Sequence, residues 1–154
     1  MKIADIMQTI IATTTENASL KEVGKDIFSL GISAIPVVKG SKLVGIVTQQ
    51  DILYKIFPSM AELTEDYIHL RDFEQMEKRF REVLDVPVSK IMHRHITTVL
   101  KETPIMNAQS LMLVNGFSHL PVVDEKNKLL GMVSQGDIFR RLIKGQMPKL
   151  RKKK

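Results

Sequence analysis

The chain contains no cysteine and no apolar run of the roughly 18 residues that a membrane-spanning helix needs. The first absence excludes disulfide bridges and thiolate metal sites. The second excludes a transmembrane helix by composition. Residues 1–5 reach an acidic side chain at once and do not resemble a secretory signal. We therefore expect a cytoplasmic protein without a membrane span.

The groupings that usually carry catalysis are also missing from the sequence. No Ser-His-Asp arrangement is suggested, no glycine-rich phosphate loop precedes a lysine, and the carboxylates do not cluster into a general acid/base pair. His93 and His95 have the spacing of metal ligands, but no third ligand is evident, and a surface pair is the expected interpretation. The sequence predicts neither an enzyme nor a metal site.

The formal net charge of +6 is concentrated at the C-terminus. Residues 149–154 contain five basic side chains and no acidic one, which leaves 18 basic against 17 acidic residues in the remainder. Such a tail suits a nucleic-acid or membrane-surface arm, or a solvated terminus. The nearly neutral remainder has no extended basic face, which favours the solvated terminus and keeps nucleic-acid binding as the alternative.

What the chain does contain is an internal repeat. Residues 35–38 read Ile-Pro-Val-Val and residues 120–123 read Leu-Pro-Val-Val. Residues 43–52 read Leu-Val-Gly-Ile-Val-Thr-Gln-Gln-Asp-Ile, and residues 129–138 read Leu-Leu-Gly-Met-Val-Ser-Gln-Gly-Asp-Ile. The recurrence of every landmark in the same order predicts one duplicated structural unit.

Each repeat predicts an α/β unit with the element order β-α-β-β-α. The expected elements of repeat 1 are a helix over about 19–30, strands over 34–38 and 42–48, and a helix over 49–56. Those of repeat 2 are a helix over about 104–114, strands over 119–123 and 129–134, and a helix from about 135. A lone unit of this size has a marginal core, so we expect the two to pack sheet against sheet with pseudo-two-fold symmetry.

Between the repeats lies an insertion without a counterpart elsewhere. Ser59 and Glu62 have the spacing of a capping box, and an amphipathic helix is expected from about residue 72. Its predicted apolar face comprises Phe73, Met76, Phe80, Val83 and Leu84. We expect a helical linker that covers the core edge, with a dimerisation element or a lid as alternatives. The predicted boundaries are 1–56 for repeat 1, 57–87 for the insertion, 88–145 for repeat 2 and 146–154 for the basic tail.

One polar pattern occurs in both repeats, where a strand meets a helix. It is Thr48-x-x-Asp51 in repeat 1 and Ser134-x-x-Asp137 in repeat 2; we call each a signature. Helix capping alone explains such a pair. A helix N-terminus also offers N–H donors to a phosphate, and a carboxylate can accept two hydrogen bonds from a ribose diol. The residues by themselves leave both interpretations open.

The repeated pattern resembles the CBS domain, and the pair resembles a tandem CBS or Bateman module. Ile6-Met7 and Ile91-Met92 resemble the start of each CBS unit, which Asp5 completes in repeat 1. The resemblance covers nearly the whole chain except the insertion and the tail. It implies a regulatory module without a required cofactor, which binds AMP, ADP, ATP or S-adenosylmethionine between its repeats. It also implies a homodimer that signals to a separate effector protein, with a purely structural dimerisation module as the alternative.

The resemblance further implies two nucleotide sites of mixed origin. The first joins Thr48 and Asp51 with residues of repeat 2, namely Ile96, Thr97, Ser118, His119, Leu120 and Pro121. The second joins Ser134 and Asp137 with residues of repeat 1, namely Ile11, Ala12, Ser33, Ala34, Ile35 and Pro36. Because His119 corresponds to Ala34, we hypothesise that the Asp51 site prefers the more phosphorylated ligand. A histidine there would also make affinity rise as the pH falls towards about 6.

Overall fold

The computed structural model describes residues 1–56 and 73–146, which form two compact units that do not coincide with the sequence repeats. Of the described residues, the repeat-1 unit comprises 12–56 and 73–96, and the repeat-2 unit comprises 1–11 and 97–146. Each unit therefore combines the main elements of one repeat with the leading segment of the other. We use "leading segment" for residues 1–11 and 88–96.

In the repeat-1 unit, the elements follow the predicted order. The bounds are α1 at Leu20–Leu30, β1 at Ala34–Lys39, β2 at Lys42–Thr48, α2 at Gln49–Ile56 and α3 at Phe73–Leu84. A single 3-10 turn, Val88–Lys90, follows in the leading segment. Strands β1 and β2 form an antiparallel hairpin with an irregularity between Val37 and Val38. The predicted bounds of α1, β1, β2 and α2 are confirmed to within one residue.

Local chemistry explains where α1 begins and ends. Ser19 Oγ accepts a hydrogen bond from the Glu22 main-chain N–H at 3.2 Å, and a Glu22 carboxylate oxygen accepts one from the Ser19 N–H at 2.9 Å. Two N–H groups that the first helical turn leaves unpaired are thereby satisfied. Gly31 ends the helix at a φ of 62°, in the left-handed region that glycine adopts without strain.

The repeat-2 unit is built from two stretches of the chain. The first contains a 3-10 turn at Ile3–Asp5, and the second begins at Thr97, after the repeat-1 unit. Its elements are β3 at Val99–Leu100, α4 at Ile105–Asn115, β4 at His119–Val123, β5 at Leu129–Ser134 and α5 at Gln135–Gln146. Strand β4 pairs in parallel with β3 and antiparallel with β5. The first strand of the predicted β-α-β-β-α order is present in this unit as the short strand β3. At the corresponding place in the repeat-1 unit, Thr14 and Val37 form an isolated parallel bridge.

Each leading segment contributes to the core of the unit in which it lies. Ile3 is fully buried in the repeat-2 unit, where it joins the cluster formed by Val99, Ile105, Ala108, Met112, Leu120, Val122, Val133 and Ile138. Val88 and Met92 are buried in the repeat-1 unit, in the cluster formed with Leu20, Val23, Ile27, Ile35, Val37, Val47 and Ile52. Burial of these side chains anchors both leading segments by the hydrophobic effect.

Within the insertion, the structure describes residues 73–87, of which Phe73–Leu84 form α3. Val83 of α3 packs, partly buried, against the core of the repeat-1 unit, as expected for a covering helix. Phe80 remains 42% exposed, so the predicted apolar face is only partly covered. The capping-box pair Ser59 and Glu62 and the basic tail lie outside the described residues. Among residues 1–56 and 73–146, no helix combines the length and the apolar character needed to cross a membrane.

Candidate functional site

A glycine in β5 allows a leading segment to approach the repeat-2 signature. The Gln8 N–H donates to the Met132 carbonyl oxygen at 2.8 Å, and the Met132 N–H donates to the Gln8 carbonyl oxygen at 3.0 Å. A Cβ atom on Gly131 would overlap the Gln8 carbonyl oxygen. Only glycine permits this approach, and a glycine inside a strand often marks a place where another backbone segment comes close.

The repeat-1 unit contains the corresponding arrangement around Gly45 in β2. The His93 N–H donates to the Ile46 carbonyl oxygen at 2.9 Å, and the Ile46 N–H donates to the His93 carbonyl oxygen at 3.0 Å. A Cβ atom on Gly45 would lie 2.7 Å from the Met92 sulfur. Gln8 and His93 follow Ile6-Met7 and Ile91-Met92 at the same position of their repeats. Each is therefore held beside the signature of its unit.

Asp137 is the more enclosed of the two signature carboxylates, with 8% exposure. Its Oδ2 accepts hydrogen bonds from the main-chain N–H of Ser134 at 2.9 Å and from Ser134 Oγ at 2.7 Å. Its Oδ1 accepts from Gln8 Nε2 at 3.1 Å and from Arg140 Nη2 at 2.6 Å. Within the described part of the chain, four donors therefore converge on this carboxylate.

Asp51 has fewer partners, although its capping geometry is the same. Its Oδ2 accepts from the Thr48 main-chain N–H at 2.8 Å, and its own N–H donates to Thr48 Oγ1 at 3.1 Å. Its Oδ1 lies 2.7 Å from Nε2 of His93, a side chain that is 61% exposed. Two donors among the described residues thus reach Asp51. The predicted helix-capping role is confirmed for both signatures.

In each unit, the strand register places a residue of the same repeat beside the hydroxyl residue of the signature. Ala34 pairs with Thr48, and His119 pairs with Ser134. The main-chain N–H of residue 49 donates to the Ser33 carbonyl oxygen at 3.0 Å, and that of residue 135 donates to the Ser118 carbonyl oxygen at 3.0 Å.

The remaining predicted site residues are divided between the units. Ile35, Pro36, Leu120 and Pro121 are buried strand residues next to these positions. Ala12 and Ile96 belong to the repeat-1 unit, whereas Ile11 and Thr97 belong to the repeat-2 unit. The grouping of each signature with residues of the other repeat stays a prediction.

Two titratable groups of the repeat-2 unit have shifted pKa values. Burial raises the pKa of Asp137, but hydrogen bonds from Ser134, Gln8 and Arg140 outweigh it and hold the pKa below its usual value. Burial lowers the pKa of His119, and the negative charge of Asp137 opposes this shift only in part. The folded unit therefore favours an ionised Asp137 and a neutral His119.

The shift at His119 predicts acid destabilisation. The unfolded chain binds a proton at His119 more readily than the folded one, so stability is complete above about pH 6.5, the ordinary histidine pKa, and falls as the pH drops through that value. Urea denaturation of the wild type and His119→Gln at about pH 8 and about pH 5 measures this loss. We expect a smaller loss in the variant. His95→Gln, which changes an exposed histidine, is the control and should lose as much stability as the wild type. If His119→Gln also lost as much as the wild type, His119 would not be the cause of the acid destabilisation.

The contacts of three residues at these sites were not identified from the sequence. Gln8 and Arg140 carried no recognisable signal, and His93 was interpreted as half of a surface pair with His95, whereas it contacts Asp51. The sequence does mark the difference between Gln50 and Gly136 as one that makes the two sites unequal. A glycine inside each second strand was the available clue to the close approach, but it does not name the partner. In the described residues, no three His, Asp or Glu side chains group as metal ligands.

Comparison with known proteins identifies the repeats. The CBS domain family model matches residues 3–58 and again residues 88–144. An uncharacterized protein of Methanocaldococcus jannaschii is 32% identical over 155 residues, which cover 93% of this chain and 92% of that protein. A second protein of that organism is 30% identical over 97% of this chain. The chain spans 47% and 41% of the first two curated relatives, about half of their length.

Solved structures show the same fold. CBSX2 of Arabidopsis thaliana, solved in complex with AMP, has a TM-score of 0.73 and 21% identity, with 95% of this chain and 98% of that chain covered. The CBS domain pair of protein MJ0100, in complex with 5′-methylthioadenosine and S-adenosyl-L-methionine, has a TM-score of 0.70 and 24% identity over 96% and 98% of the two chains. With both repeats matched by the family model and the fold shared with CBS pairs, the chain belongs to the CBS domain family.

Proposed function

We propose that this chain is a regulatory module that binds an adenosine-containing ligand at its two signatures and does not catalyse a reaction. The observation that carries the proposal is the pair of enclosed carboxylates, Asp51 and Asp137, each held at a helix N-terminus beside a hydroxyl. The hydrogen bonds from Thr48 and Ser134 orient these carboxylates before any ligand arrives. A preorganised acceptor loses little conformational entropy on binding.

The chemistry of a nucleotide matches this arrangement. The vicinal hydroxyls of a ribose are donors, and an ionised carboxylate is an acceptor with about four lone-pair positions. The N–H groups of the first helical turn and their positive potential favour a phosphate. AMP, 5′-methylthioadenosine and S-adenosylmethionine, the ligands of the two structural neighbours, share one adenosine core. A ribose-binding carboxylate would recognise all three.

The proposed output is a conformational signal to an effector protein. A ligand that binds two conformations unequally shifts their populations, and such coupling is typically about 1–3 kcal/mol. We also propose a homodimer. Phe28 of α1 is 89% exposed, and Leu113 and Val114 of α4 are 69% and 85% exposed. These exposed apolar side chains, on one helix of each unit, are the candidates for the surface that associates.

Thermal denaturation with a ligand panel tests the proposal. We expect AMP, ADP, ATP or S-adenosylmethionine to raise the melting temperature, because a ligand at 100 times its Kd adds about 2.7 kcal/mol to the unfolding free energy. Guanosine and inorganic phosphate are the controls for the base and for anions.

A panel without any shift would contradict ligand sensing and favour a structural dimerisation module. Binding to nucleic acid with a steep salt dependence, lost on removing residues 149–154, would favour the basic tail as the functional element.

A further inference from the structure

The first turns of α2 and α5 differ by a matched pair of residues. In α2, Gln50 Nε2 donates to the hydroxyl oxygen of Tyr54 at 2.8 Å. The corresponding residues of α5 are Gly136 and Arg140. A Cβ atom on Gly136 would lie 3.5 Å from Arg140 Nη1, 3.8 Å from Nη2 and 3.6 Å from Ser134 Oγ. These are ordinary van der Waals distances, so the guanidinium lies directly beside residue 136 and the signature hydroxyl.

The exposed guanidinium of Arg140 forms an ion pair with the enclosed carboxylate of Asp137. Its Nη2 lies 2.6 Å from Asp137 Oδ1, and the side chains of Arg140 and Asp137 are 70% and 8% exposed. The guanidinium carries five N–H donors and stays positively charged at any physiological pH. Its hydrogen bond to Asp137 leaves 70% of the Arg140 side chain exposed, so the guanidinium is accessible to a ligand from solvent.

A ribose diol that binds Asp137 must compete with this ion pair. When the hydroxyls take Oδ1, the guanidinium loses its anionic partner. A 5′-phosphate replaces that partner with another anion, and an arginine fork matches a phosphate well. An uncharged nucleoside replaces it with nothing. At Asp51, Tyr54 stands at the position of Arg140 and Oδ1 contacts His93 Nε2 instead, so no guanidinium is displaced there.

We infer that Arg140 makes the Ser134/Asp137 signature selective for phosphorylated adenosine ligands, whereas the Thr48/Asp51 signature accepts the uncharged nucleoside as well. This inference rests on the proposed function. It reverses the hypothesis that His119 directs the more phosphorylated ligand to Asp51. His119 itself lies opposite Ser134 in the strand ladder of the repeat-2 unit.

Isothermal titration of AMP and of adenosine tests the selectivity, expressed as the Kd for adenosine divided by the Kd for AMP. The Asp51→Ala background isolates the repeat-2 signature. We expect Arg140→Gln to lower this ratio by about tenfold or more, because the variant loses a charge-assisted hydrogen bond to the phosphate. Arg140→Lys keeps the charge without the fork and should give an intermediate ratio.

Arg141→Gln is the matched control, because it removes the same charge from the adjacent exposed residue. It should leave the ratio unchanged. In the Asp137→Ala background, the double change Gln50→Gly with Tyr54→Arg should raise the ratio. Binding of both ligands with a ratio that Arg140→Gln does not alter would overturn the inference alone. No binding of either ligand to the wild type would overturn the proposed function and the inference together.

Discussion

Gly131→Ala is expected to lower the unfolding free energy of the repeat-2 unit by about 2–4 kcal/mol, from overpacking and from weakened hydrogen bonds. The new methyl group would overlap the main-chain carbonyl oxygen of Gln8, which no rotamer change can move aside. Relief requires the leading segment to withdraw, which breaks the two main-chain hydrogen bonds between Gln8 and Met132. Urea denaturation followed by far-UV circular dichroism measures the loss.

Two further glycines serve as graded controls. Gly45→Ala meets mainly the Met92 sulfur, at 2.7 Å, and a thioether can rotate away, so its cost should be smaller. A Cβ on Gly24 of α1 meets nothing within 4 Å. Gly24→Ala should therefore stabilise the chain by about 0.5–1 kcal/mol, the difference in helix propensity. If Gly131→Ala lowered the unfolding free energy no more than Gly24→Ala does, Gln8 would not lie against Gly131 as described.

Replacing both signature carboxylates is expected to abolish binding of adenosine ligands. Each ribose diol donates two hydrogen bonds to an ionised carboxylate, and their loss should weaken a site by about a hundredfold or more. Asp51→Ala and Asp137→Ala should each remove one site and leave the other, and the double variant should bind nothing. Isothermal titration reports the result as stoichiometries of two, one and zero.

The same variants should differ in stability, which separates folding from binding. Asp137→Ala leaves four donors of the described residues without their acceptor, whereas Asp51→Ala leaves two. A donor deprived of its partner costs most where water cannot replace it, and Asp137 is the more enclosed carboxylate. Asp137→Ala should therefore unfold at the lower urea concentration. Undiminished affinity in a folded double variant would show that the ligand does not use the signatures.

Much of the fold could be predicted because its causes are local. The apolar run of residues 43–47, the capping box of Ser19 with Glu22 and the stop at Gly31 each act over a few residues, and the structure confirms them. Duplication then carried the same prediction to repeat 2. The signatures were found for the same reason, since the hydroxyl and carboxylate stand three residues apart in the chain.

By itself, the sequence determined the repeated α/β unit, the element bounds and the two signatures, because hydrophobic spacing and helix capping operate between near neighbours. Only the tertiary structure decided which leading segment accompanies which signature. Gln8 and Asp137 are 129 positions apart, and His93 and Asp51 are 42 apart. No local preference specifies such pairs, since they form only when packing brings a backbone segment against the side-chain-free face of Gly45 or Gly131.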